Sequence, residues 1–371
     1  MCSTAPGRDP RSRSCRVLPV SGVRLREFCS ALFSFDERPV VVTETSTAAA
    51  QSEGGSGDFP VLFSPIAVGP RVSRNRIINS GHGTSLAPGR HNEELFLYEE
   101  TRARGGAGIV TTQSQWINQG AGDFDVRYEV ASGAYDELAS RVHAGGALCF
   151  IQINHPGRQG FLGPRNREYA VAPSQVPGRF YGGQVQIPHA MTEAEIMAVI
   201  EDFAGSAEAI TTTAADGVEI HFGHGNLVQQ FLSPHTNRRT DRWGGSFENR
   251  TRFAREVIAA IRDRIGTDTV VFGARINGAA PGDPTETTLL NDFATMLLDM
   301  DPGMRLDYLS VTGGHFSSAW GTSFNLPDSS FPPALWESQA RRVREQARDR
   351  GVPIFQVGRI LGPALAERLL A

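Results

Sequence analysis

Three features that would assign a protein to a class at once are missing from this 371-residue sequence. No apolar run reaches the roughly 20 residues that a membrane-spanning helix needs, so no membrane partner is predicted. The 36 basic and 40 acidic residues leave a formal net charge of -4, so no basic excess predicts a nucleic-acid partner. The four cysteines show no metal-ligand spacing, which is typical of a reduced, cytoplasmic protein: Cys2, Cys15, Cys29 and Cys149.

The first part of the chain, residues 1–57, lacks the apolar periodicity of a folded segment. It is rich in Ser, Thr, Arg, Gly and Pro, a composition that predicts a flexible, disordered leader. Its Arg and Ser content also suggests a transit peptide, but acidic residues such as Asp36 and Glu37 weigh against that interpretation. Residues 58–371 belong to a chain with 40% hydrophobic residues, enough for a sizeable core, and predict one folded domain.

The predicted domain begins with a short hairpin, formed by Leu62–Val68 and Val72–Arg76. Strand and helix patterns then alternate. The predicted strands are 77–80, 107–113, 147–153, 216–221, 269–276, 306–312 and 352–358, and the predicted helices are 92–104, 131–144, 192–213, 247–265, 285–300, 336–349 and one from 362. Because helices separate the strands and several strands are apolar on both faces, the pattern predicts an α/β fold with a buried parallel sheet.

Seven such units in succession favour a (β/α)8 TIM barrel over a doubly wound sheet. A doubly wound dinucleotide fold requires a glycine-rich turn after its first strand, and Gly81-x-Gly83 has no third glycine where that turn needs one. The sequence ends at Ala371, within the seventh helix, and no eighth strand follows. We therefore expect a barrel that lacks its last unit, from a chain truncated before strand eight.

The carboxyl ends of the strands are where a TIM barrel collects its chemistry. Those positions hold amides, histidines, arginines and glycines, with few carboxylates. In chain order they are Asn79 to Thr84, Thr112 to Ser114, Gln152 to Arg158, His221 with His224, Arg275, Thr312 to His315, and Gly358 with Arg359. This set suits a large planar heterocycle with a phosphate tail.

Four of these residues predict particular contacts with such a ligand. Gln152 offers both the donor and the acceptor that the edge of a pyrimidine-dione requires. Arg275 is a fixed cation that would stabilise negative charge on a reduced ring. Gly358 and Arg359 combine close backbone approach with a cation, which suits a phosphate group.

His221 and His224 lie three residues apart, where a predicted strand becomes a loop. Two neutral imidazoles at that point can direct two N–H donors at one oxygen that gains negative charge during a reaction. A His-x-x-His pair also occurs in zinc sites. Zinc needs at least three protein ligands, however, and no third ligand of matching spacing is present in the sequence.

Residues 60–371 resemble the Old Yellow Enzyme family of FMN-dependent, NAD(P)H-linked oxidoreductases, especially its branch with 2,4-dienoyl-CoA reductase and trimethylamine dehydrogenase. The matching segments are LFSPIAVGPRVSRNRI, ARGGAGIVTTQ, FIQINHPGR, DGVEIHFGHG, FLSPHTNRRTDRWGGSFENRTRF and PIFQVGRI. The fifth segment is highly specific, and the spacing of the others agrees with it. The resemblance implies a flavoprotein barrel that acts on a small-molecule substrate, with a homo-oligomer as one allowed assembly.

FMN is the cofactor that the resemblance implies, with NADH or NADPH as the reductant. The FMN contacts that it carries over are Ser80, Gly81, His82, Ser114, Gln152, Arg275, Gly358 and Arg359. Trimethylamine dehydrogenases have a cysteine that bonds the flavin where this sequence has Gly83, so non-covalent FMN is expected. The four-cysteine motif of the longer members of the branch is missing, so no iron–sulfur cluster is expected in this chain.

The implied reaction is hydride transfer from flavin N5 to the activated C=C bond of an enone- or enoyl-type substrate. His221 and His224 would hold the substrate's carbonyl oxygen, with Tyr181 as a further substrate contact and His315 as a further catalytic residue. The family's proton-donating tyrosine is replaced by Asn226, and an amide is no general acid near neutral pH. The donor would then be His315, Tyr181 or water. The alternatives are flavin-dependent oxidation of an N-methyl amine and a truncated, non-catalytic fragment of such an enzyme.

Overall fold

The architecture comes from a computed structural model, which describes residues 57–86, 90–117, 125–160, 169–179, 185–278, 284–315 and 319–371. The predicted leader, residues 1–57, lies outside the described residues except for Gly57, so its disorder stays a prediction. Within the described ranges, no helix is long and apolar enough to cross a membrane.

Short strands alternate with helices along the described chain. In chain order the strands are β1 (Ile66–Val68), β2 (Arg71–Ser73), β3 (Ile78–Asn79), β4 (Ile109–Thr111), β5 (Gln115–Trp116), β6 (Leu148–Asn154), β7 (Val171–Ala172), β8 (Gly178–Arg179), β9 (Val185–Gln186), β10 (His189–Ala190), β11 (Gly217–His221), β12 (Val271–Gly278), β13 (Tyr308–Gly313) and β14 (Ile354–Gln356). The helices are α1 (Glu93–Arg104), α2 (Val126–Ala131), α3 (Ala134–Ala144), α4 (Glu193–Thr211), α5 (Leu227–Leu232), α6 (Phe247–Ile265), α7 (Pro284–Leu298), α8 (Ala319–Asn325), α9 (Glu337–Ala347) and α10 (Pro363–Leu370). Every strand and helix that the sequence predicts is present, within a few residues of its predicted bounds.

Seven parallel strands form the central sheet, hydrogen-bonded in the order β3-β4-β6-β11-β12-β13-β14. β5 pairs with the end of β6 beyond β4. Because each strand pairs with the strand of the next unit along the chain, the sheet curves into a nearly closed barrel with the long helices outside it. This confirms the predicted TIM-barrel class. β1 and β2 pair antiparallel, which confirms the predicted hairpin.

The elements that the sequence did not predict are short. They are α5, directly after β11, the helices α2 and α8, β5, and the two-residue strands β7 to β10 between residues 171 and 190. Segments of two to seven residues complete at most about two helical turns, so they carry too little apolar periodicity to be recognised. They all lie in the connections around the barrel.

The sheet separates two apolar cores. Alternate strand residues such as Val218, Ile220 and Ala274 pack outward against the helices in the larger core. A smaller core fills one end of the barrel interior and consists of Val68, Ile109, Phe150, Val271, Tyr308 and Phe355. Each large side chain buried in this way contributes roughly 1.5–3 kcal/mol of transfer free energy.

The amino end of the barrel is closed by the hairpin and by two aspartates. Val68 of the hairpin is fully buried in the inner core. Asp216 accepts hydrogen bonds from the Cys149 backbone N–H (2.9 Å) and from His143 Nε2 (2.6 Å). Asp307 accepts from the backbone N–H of Phe272 at 2.7 Å and forms an ion pair with Arg262 at 3.2 Å. These two carboxylates therefore find partners within the chain itself.

Two of the long helices begin where side-chain capping predicts. Ser246 Oγ accepts a hydrogen bond from the Asn249 N–H at 3.2 Å, which confirms Ser246 as the predicted N-cap of α6. Thr192 and Glu195 form a reciprocal capping box at the start of α4. Each cap is worth about 1 kcal/mol, and the caps set where the connections above the barrel end.

Candidate active site

β11 carries the residues around which the site is built. Its side chains alternate, so Glu219 and His221 point into the barrel while Val218 and Ile220 pack outside it. His221 is in register with Arg275 of β12, so these two side chains enter the barrel at the same level. All of them lie toward the carboxyl end of the sheet, where a TIM barrel places its chemistry.

The turn after β11 holds His224 in an uncommon backbone conformation. Its φ is 57°, in the left-handed region that residues with a β-carbon rarely adopt. Three glutamine side chains bind this turn. Gln229 accepts the Gly225 N–H at 2.6 Å, Gln230 donates to the Gly225 carbonyl at 2.7 Å, and Gln159 donates to the His224 carbonyl at 3.1 Å. The strained position of His224 is thus fixed by the surrounding chain, as is typical of functional sites.

The contacts of the two imidazoles fit one assignment of their ring protons, with the Arg275 and Gly313 backbones as further hydrogen-bond partners of the two rings. The Gly223 N–H donates to His221 Nδ1 at 3.3 Å, so His221 carries its proton on Nε2. That Nε2–H donates to His224 Nδ1 at 2.9 Å, so His224 is also protonated on Nε2. His224 Nε2–H in turn donates to Thr312 Oγ1 at 3.2 Å. Both rings therefore present their N–H at the ε position.

Both imidazoles are buried, with 5% and 6% of His221 and His224 exposed. Burial, with the nearby charge of Arg275, lowers the pKa of His221 well below its ordinary value. Burial, followed by His221 and Arg275, does the same to the pKa of His224. Both rings are therefore neutral at physiological pH, as the sequence interpretation requires.

The relative orientation of the two rings differs from the sequence prediction. Two N–H donors were expected to converge on one point, but in this structure they run in series from His221 to His224 to Thr312. The ring planes are nearly perpendicular, at 84°, with centroids 4.7 Å apart. The physical reason is that each buried N–H takes the nearest acceptor in the chain, since an unpaired donor there is costly.

Arg275 lies beside the histidine pair and is 6% exposed. Its Nη2 donates to Thr312 Oγ1 at 2.9 Å, and its Nη1 donates to the Gly81 carbonyl. Its Nε is buried without a hydrogen-bond partner among the described residues. The predicted residues Gly81, His221, His224 and Arg275 are thus brought together by one network through Thr312.

Gln152 of β6 is bound on both sides by the chain. Ser114 Oγ donates to its Oε1, and its Nε2 donates to Glu219 Oε1 at 2.6 Å. The other oxygen of Glu219 accepts from Tyr308 Oη at 2.8 Å. The predicted contacts Ser114 and Gln152 are therefore joined directly, and the other end of the Gln152 amide binds a buried acid that the sequence interpretation did not include.

Ser80 and His82 flank Gly81 at the end of β3. His82 Nδ1–H donates to the Ser80 carbonyl at 3.1 Å, and its Nε2 accepts from Tyr98 Oη of α1. His82 is exposed and is drawn toward α1, away from the barrel axis. Ser80 Oγ, in contrast, is buried without a partner among the described residues.

Asn226 takes a structural role at the position of the missing tyrosine. It is the N-cap residue of α5, and its Nδ2 donates to the Gly223 carbonyl at 3.0 Å. His315 follows β13 and lies in a parallel bridge with His224, so it adjoins the histidine pair. The structure therefore brings one of the three predicted proton donors next to the pair, while Tyr181 lies outside the described residues.

Gly358 and Arg359 follow β14 at the same end of the sheet. Gly358 has φ of 112° and Arg359 has φ of 53°, both in the left-handed region. The Arg359 carbonyl accepts the Ala334 N–H at 3.0 Å, and its Nε is buried without a partner within the described ranges. These two residues contact a different loop from the histidine network, as a binding site for the far end of a long ligand would require.

Several site residues were missed in the sequence because each looked ordinary by itself. They are Glu219, Tyr308, Gln159, Gln229 and Gln230. The signal for Glu219 was available, because it precedes His221 by two residues and therefore shares its face of the strand. The glutamines come from separate connections, and only the folded chain brings them to one turn.

Comparison with known proteins assigns the family. The model of the NADH:flavin oxidoreductase / NADH oxidase family matches residues 61–304. The chain belongs to this family of flavin-dependent oxidoreductases, which is the Old Yellow Enzyme family that the sequence motifs indicated. The family assignment, the TIM-barrel class and the expected flavin chemistry are mutually consistent.

Two curated relatives and one solved structure illustrate the range of the family. A "NADH oxidase" of Thermoanaerobacter brockii is 39% identical over 325 residues, which is 84% of this chain and 47% of the relative. A "N,N-dimethylglycine/sarcosine dehydrogenase" of Chromohalobacter salexigens is 30% identical, over 84% of this chain and 45% of the relative. A morphinone reductase variant in complex with tetrahydroNAD is 26% identical, with a TM-score of 0.61 over 84% of this chain and 90% of its own. The chain thus spans about half the length of those two curated relatives.

The residues at the carboxyl end of the barrel fit the flavin that the family binds. Buried polar atoms are left without partners there, among the described residues, at Ser80 Oγ, Gln113 Nε2, Arg275 Nε and Arg359 Nε. An unpaired buried donor costs about 1–3 kcal/mol, so several at one end of a barrel indicate a ligand that satisfies them. An aromatic ring system with carbonyls, ring nitrogens and a phosphate offers acceptors of the right kinds.

Proposed function

We propose that this chain is the flavin-binding domain of an NAD(P)H-dependent oxidoreductase that reduces an activated C=C bond conjugated to a carbonyl group. FMN would bind non-covalently at the carboxyl ends of the strands. The observation that carries the proposal is a pair of buried, neutral imidazoles in hydrogen-bond contact beside a buried arginine at that end. Neutral N–H donors suit a carbonyl oxygen, because they stabilise its developing charge without protonating it in the ground state.

The cofactor would be held by two groups of residues. Ser80, Gly81 and Ser114 would border the ring system, with Arg275 beside its pyrimidine edge. Gly358 and Arg359 would take the phosphate, as their separate location and the unpaired Nε of Arg359 suggest. Bound FMN would supply two-electron transfer between the nicotinamide and the substrate.

The substrate's carbonyl oxygen would be held by His221 and His224. Both rings already carry their protons on Nε2, so the oxygen can accept from both after it replaces His224 Nδ1 and Thr312 Oγ1 as their acceptors. The turn bound by Gln159, Gln229 and Gln230 keeps His224 in place during this exchange. His315, whose backbone bridges that of His224, would be a candidate to deliver the proton.

Flavin binding is the first test. The purified chain is expected to be yellow, or to take up added FMN with saturable fluorescence quenching. Anaerobic mixing with NADH and with NADPH should then bleach the flavin band, and the faster of the two identifies the physiological reductant. A colourless protein that fails to take up FMN would overturn the proposal and favour a non-catalytic fragment.

Oxidation of an N-methyl amine is the second candidate function. It is favoured by one observation, which is that Asn226 lies at the start of α5 with its side chain bonded to the Gly223 carbonyl, so the position where ene reduction needs a proton donor holds an amide and no acid. Removal of hydride from an amine requires no such acid. The relative that acts on N,N-dimethylglycine or sarcosine belongs to the same family.

The two candidates differ in the direction of electron flow. Under anaerobic conditions, bleaching of the oxidised flavin by a methylated amine in the absence of nicotinamide would establish the second candidate. Reoxidation of the NADH-reduced flavin by an enone, with formation of the saturated ketone, would establish the first. A matched alkene without the carbonyl group should not reoxidise the flavin, because it has no oxygen for the histidine pair.

A further inference from the structure

We propose that Glu219 is a positioning residue of this cofactor site, whose carboxylate orients the Gln152 amide, offsets the charge of Arg275 and so lowers the reduction potential of the bound flavin. The inference rests on the proposed flavin-binding function. It concerns a residue that touches neither the substrate pair nor the phosphate region. Glu219 is 0% exposed in the middle of the barrel, two residues before His221.

A fully buried acid is uncommon unless its surroundings compensate for the loss of water. Removing a carboxylate from water is expensive, and an apolar residue of similar volume would fill the barrel at no such cost. Glu219 is nevertheless fully hydrogen-bonded, by Gln152 Nε2 at 2.6 Å and by Tyr308 Oη at 2.8 Å. The site of Gly273 allows the Tyr308 ring to reach it, because a β-carbon at residue 273 would overlap that ring. Residues of three strands, β6, β12 and β13, therefore accommodate this one carboxylate.

The first consequence is the orientation of the Gln152 amide. An ionised carboxylate only accepts hydrogen bonds, so the Nε2 of Gln152 must face Glu219. The Oε1 of Gln152 then faces Ser114, whose hydroxyl donates to it. One N–H and one lone pair of the amide are left, in a defined direction, for the edge of a ligand. Without the carboxylate, the amide could turn over and exchange its donor for its acceptor.

The second consequence is the charge near Arg275, because Glu219 is in register with Gly273 and Arg275 lies two residues further along β12 on the same inward face. Burial lowers the pKa of Arg275, and the charge of Glu219 is the main influence that raises it again. Burial likewise raises the pKa of Glu219, opposed first by Arg275 and then by its bonds to Gln152 and Tyr308. The two residues thus stabilise each other's charged forms. A negative charge next to Arg275 makes the site less favourable for the extra electrons of a reduced flavin.

The experiment measures the midpoint potential of bound FMN in Glu219→Gln against the wild type. Loss of the negative charge is expected to tighten the binding of reduced relative to oxidised FMN by about tenfold, a shift of about 30 mV to more positive potential for a two-electron couple. Glu129→Gln is the matched control. Glu129 is a buried acid (1% exposed) in α2, outside the barrel, and its amide variant should keep the wild-type potential.

If Glu219→Gln does not fold, a second variant still tests the role of Glu219. Tyr308→Phe keeps the buried ring and removes the hydroxyl that donates to Glu219. The carboxylate then holds a proton more readily, so the potential should move in the same direction by a smaller amount. Circular dichroism and thermal melting check that each variant is folded.

The outcomes separate the two proposals. If wild-type protein binds no FMN, both the function and this inference fail. If wild-type protein binds FMN but Glu219→Gln or Tyr308→Phe has the potential of Glu129→Gln, the function stands and the positioning role of Glu219 is overturned. A merely structural role would lower the melting temperature and leave the potential unchanged.

Discussion

The two ends of the barrel differ in how their buried polar side chains are hydrogen-bonded. At the amino end, Asp216 and Asp307 each accept a backbone N–H and a cationic or imidazole partner, and the hairpin covers the inner core. At the carboxyl end, Ser80, Arg275 and Arg359 each keep a buried donor without a partner among the described residues. Both aspartates of the amino end are satisfied by the chain itself. At the carboxyl end, the donors named here are left for a ligand such as the proposed flavin.

This difference implies that polar residues at the amino end of the sheet serve stability, whereas those at the carboxyl end serve function. A satisfied polar network raises stability, so evolution can place it wherever no ligand enters. Unpaired donors lower stability and persist where a ligand repays their cost. Substitutions at the two ends should therefore have effects of opposite sign on the unliganded protein, which can be measured.

The largest effect is expected for Asp307→Ala at the amino end. The change leaves the guanidinium of Arg262, 2% exposed, without its carboxylate and the Phe272 N–H without its acceptor. We expect a loss of about 3–5 kcal/mol in the free energy of unfolding, measured by urea denaturation. Asp299→Ala is the control, since it breaks an exposed pair with Arg350 and should cost less than about 1 kcal/mol. Equal losses of unfolding free energy in Asp307→Ala and Asp299→Ala would show that the buried pair contributes no more stability than the exposed one.

A buried acid that forms no ion pair among the described residues should behave differently from Asp307. Glu99 in α1 is 2% exposed, and burial raises its pKa from 4.5 to about 8. Below pH 4.5 both the folded and the unfolded chain hold this proton. Between pH 4.5 and about 8 only the folded chain holds it, so stability falls as pH rises through that window, and the full penalty applies above it.

Glu99→Gln should remove this pH dependence. Above pH 8 the variant is expected to be more stable than the wild type by up to about 4 kcal/mol, and at pH 4 the two should be alike. Thermal melting across this pH range is the measurement. Glu100→Gln, which changes the neighbouring acid that pairs with Arg104 on the surface, should follow the wild-type curve. Parallel curves for Glu99→Gln and the wild type would show that Glu99 titrates normally.

At the carboxyl end, His221→Ala/His224→Ala should change ligand binding more than stability. Loss of both N–H donors is expected to weaken the binding of a phenolate ligand by about 10- to 100-fold, as judged by its charge-transfer band with the flavin. FMN should remain bound. His235→Ala, an exposed histidine in the loop after α5, is the control. Release of FMN by the double variant would show that His221 and His224 bind the cofactor and not the substrate.

The smallest and most diagnostic effect concerns two serines. Ser73 Oγ, in the hairpin, donates to the Asn75 carbonyl at 2.8 Å, whereas Ser80 Oγ is buried without a described partner. Ser73→Ala should destabilise the protein by about 1 kcal/mol, and Ser80→Ala should stabilise the FMN-free protein by a similar amount. Denaturation of both variants without FMN tests this. A loss of stability in Ser80→Ala would mean that its hydroxyl is satisfied within the chain.

Much of this molecule was predictable because its signals are local. The alternation of apolar strands with capped helices predicts a parallel barrel, and Ser246 marks the start of α6 in the sequence itself. The position of His221 and Arg275 at strand ends followed from the same alternation. The short helix α5 was not predictable, so the position of Asn226 at its start, with the side chain bonded to the Gly223 carbonyl, became visible only in the structure.

The sequence by itself determined the class of fold, the end of the barrel that carries chemistry and most of the polar groups there, because strand periodicity and fold rules act over short stretches. Only the tertiary structure decided which of those groups meet. Glu219 finds Gln152 across 67 residues and Tyr308 across 89, and the tautomers of His221 and His224 depend on Gly223 and Thr312. Such pairings depend on the closing of the sheet, which places distant inward-facing side chains within hydrogen-bond distance.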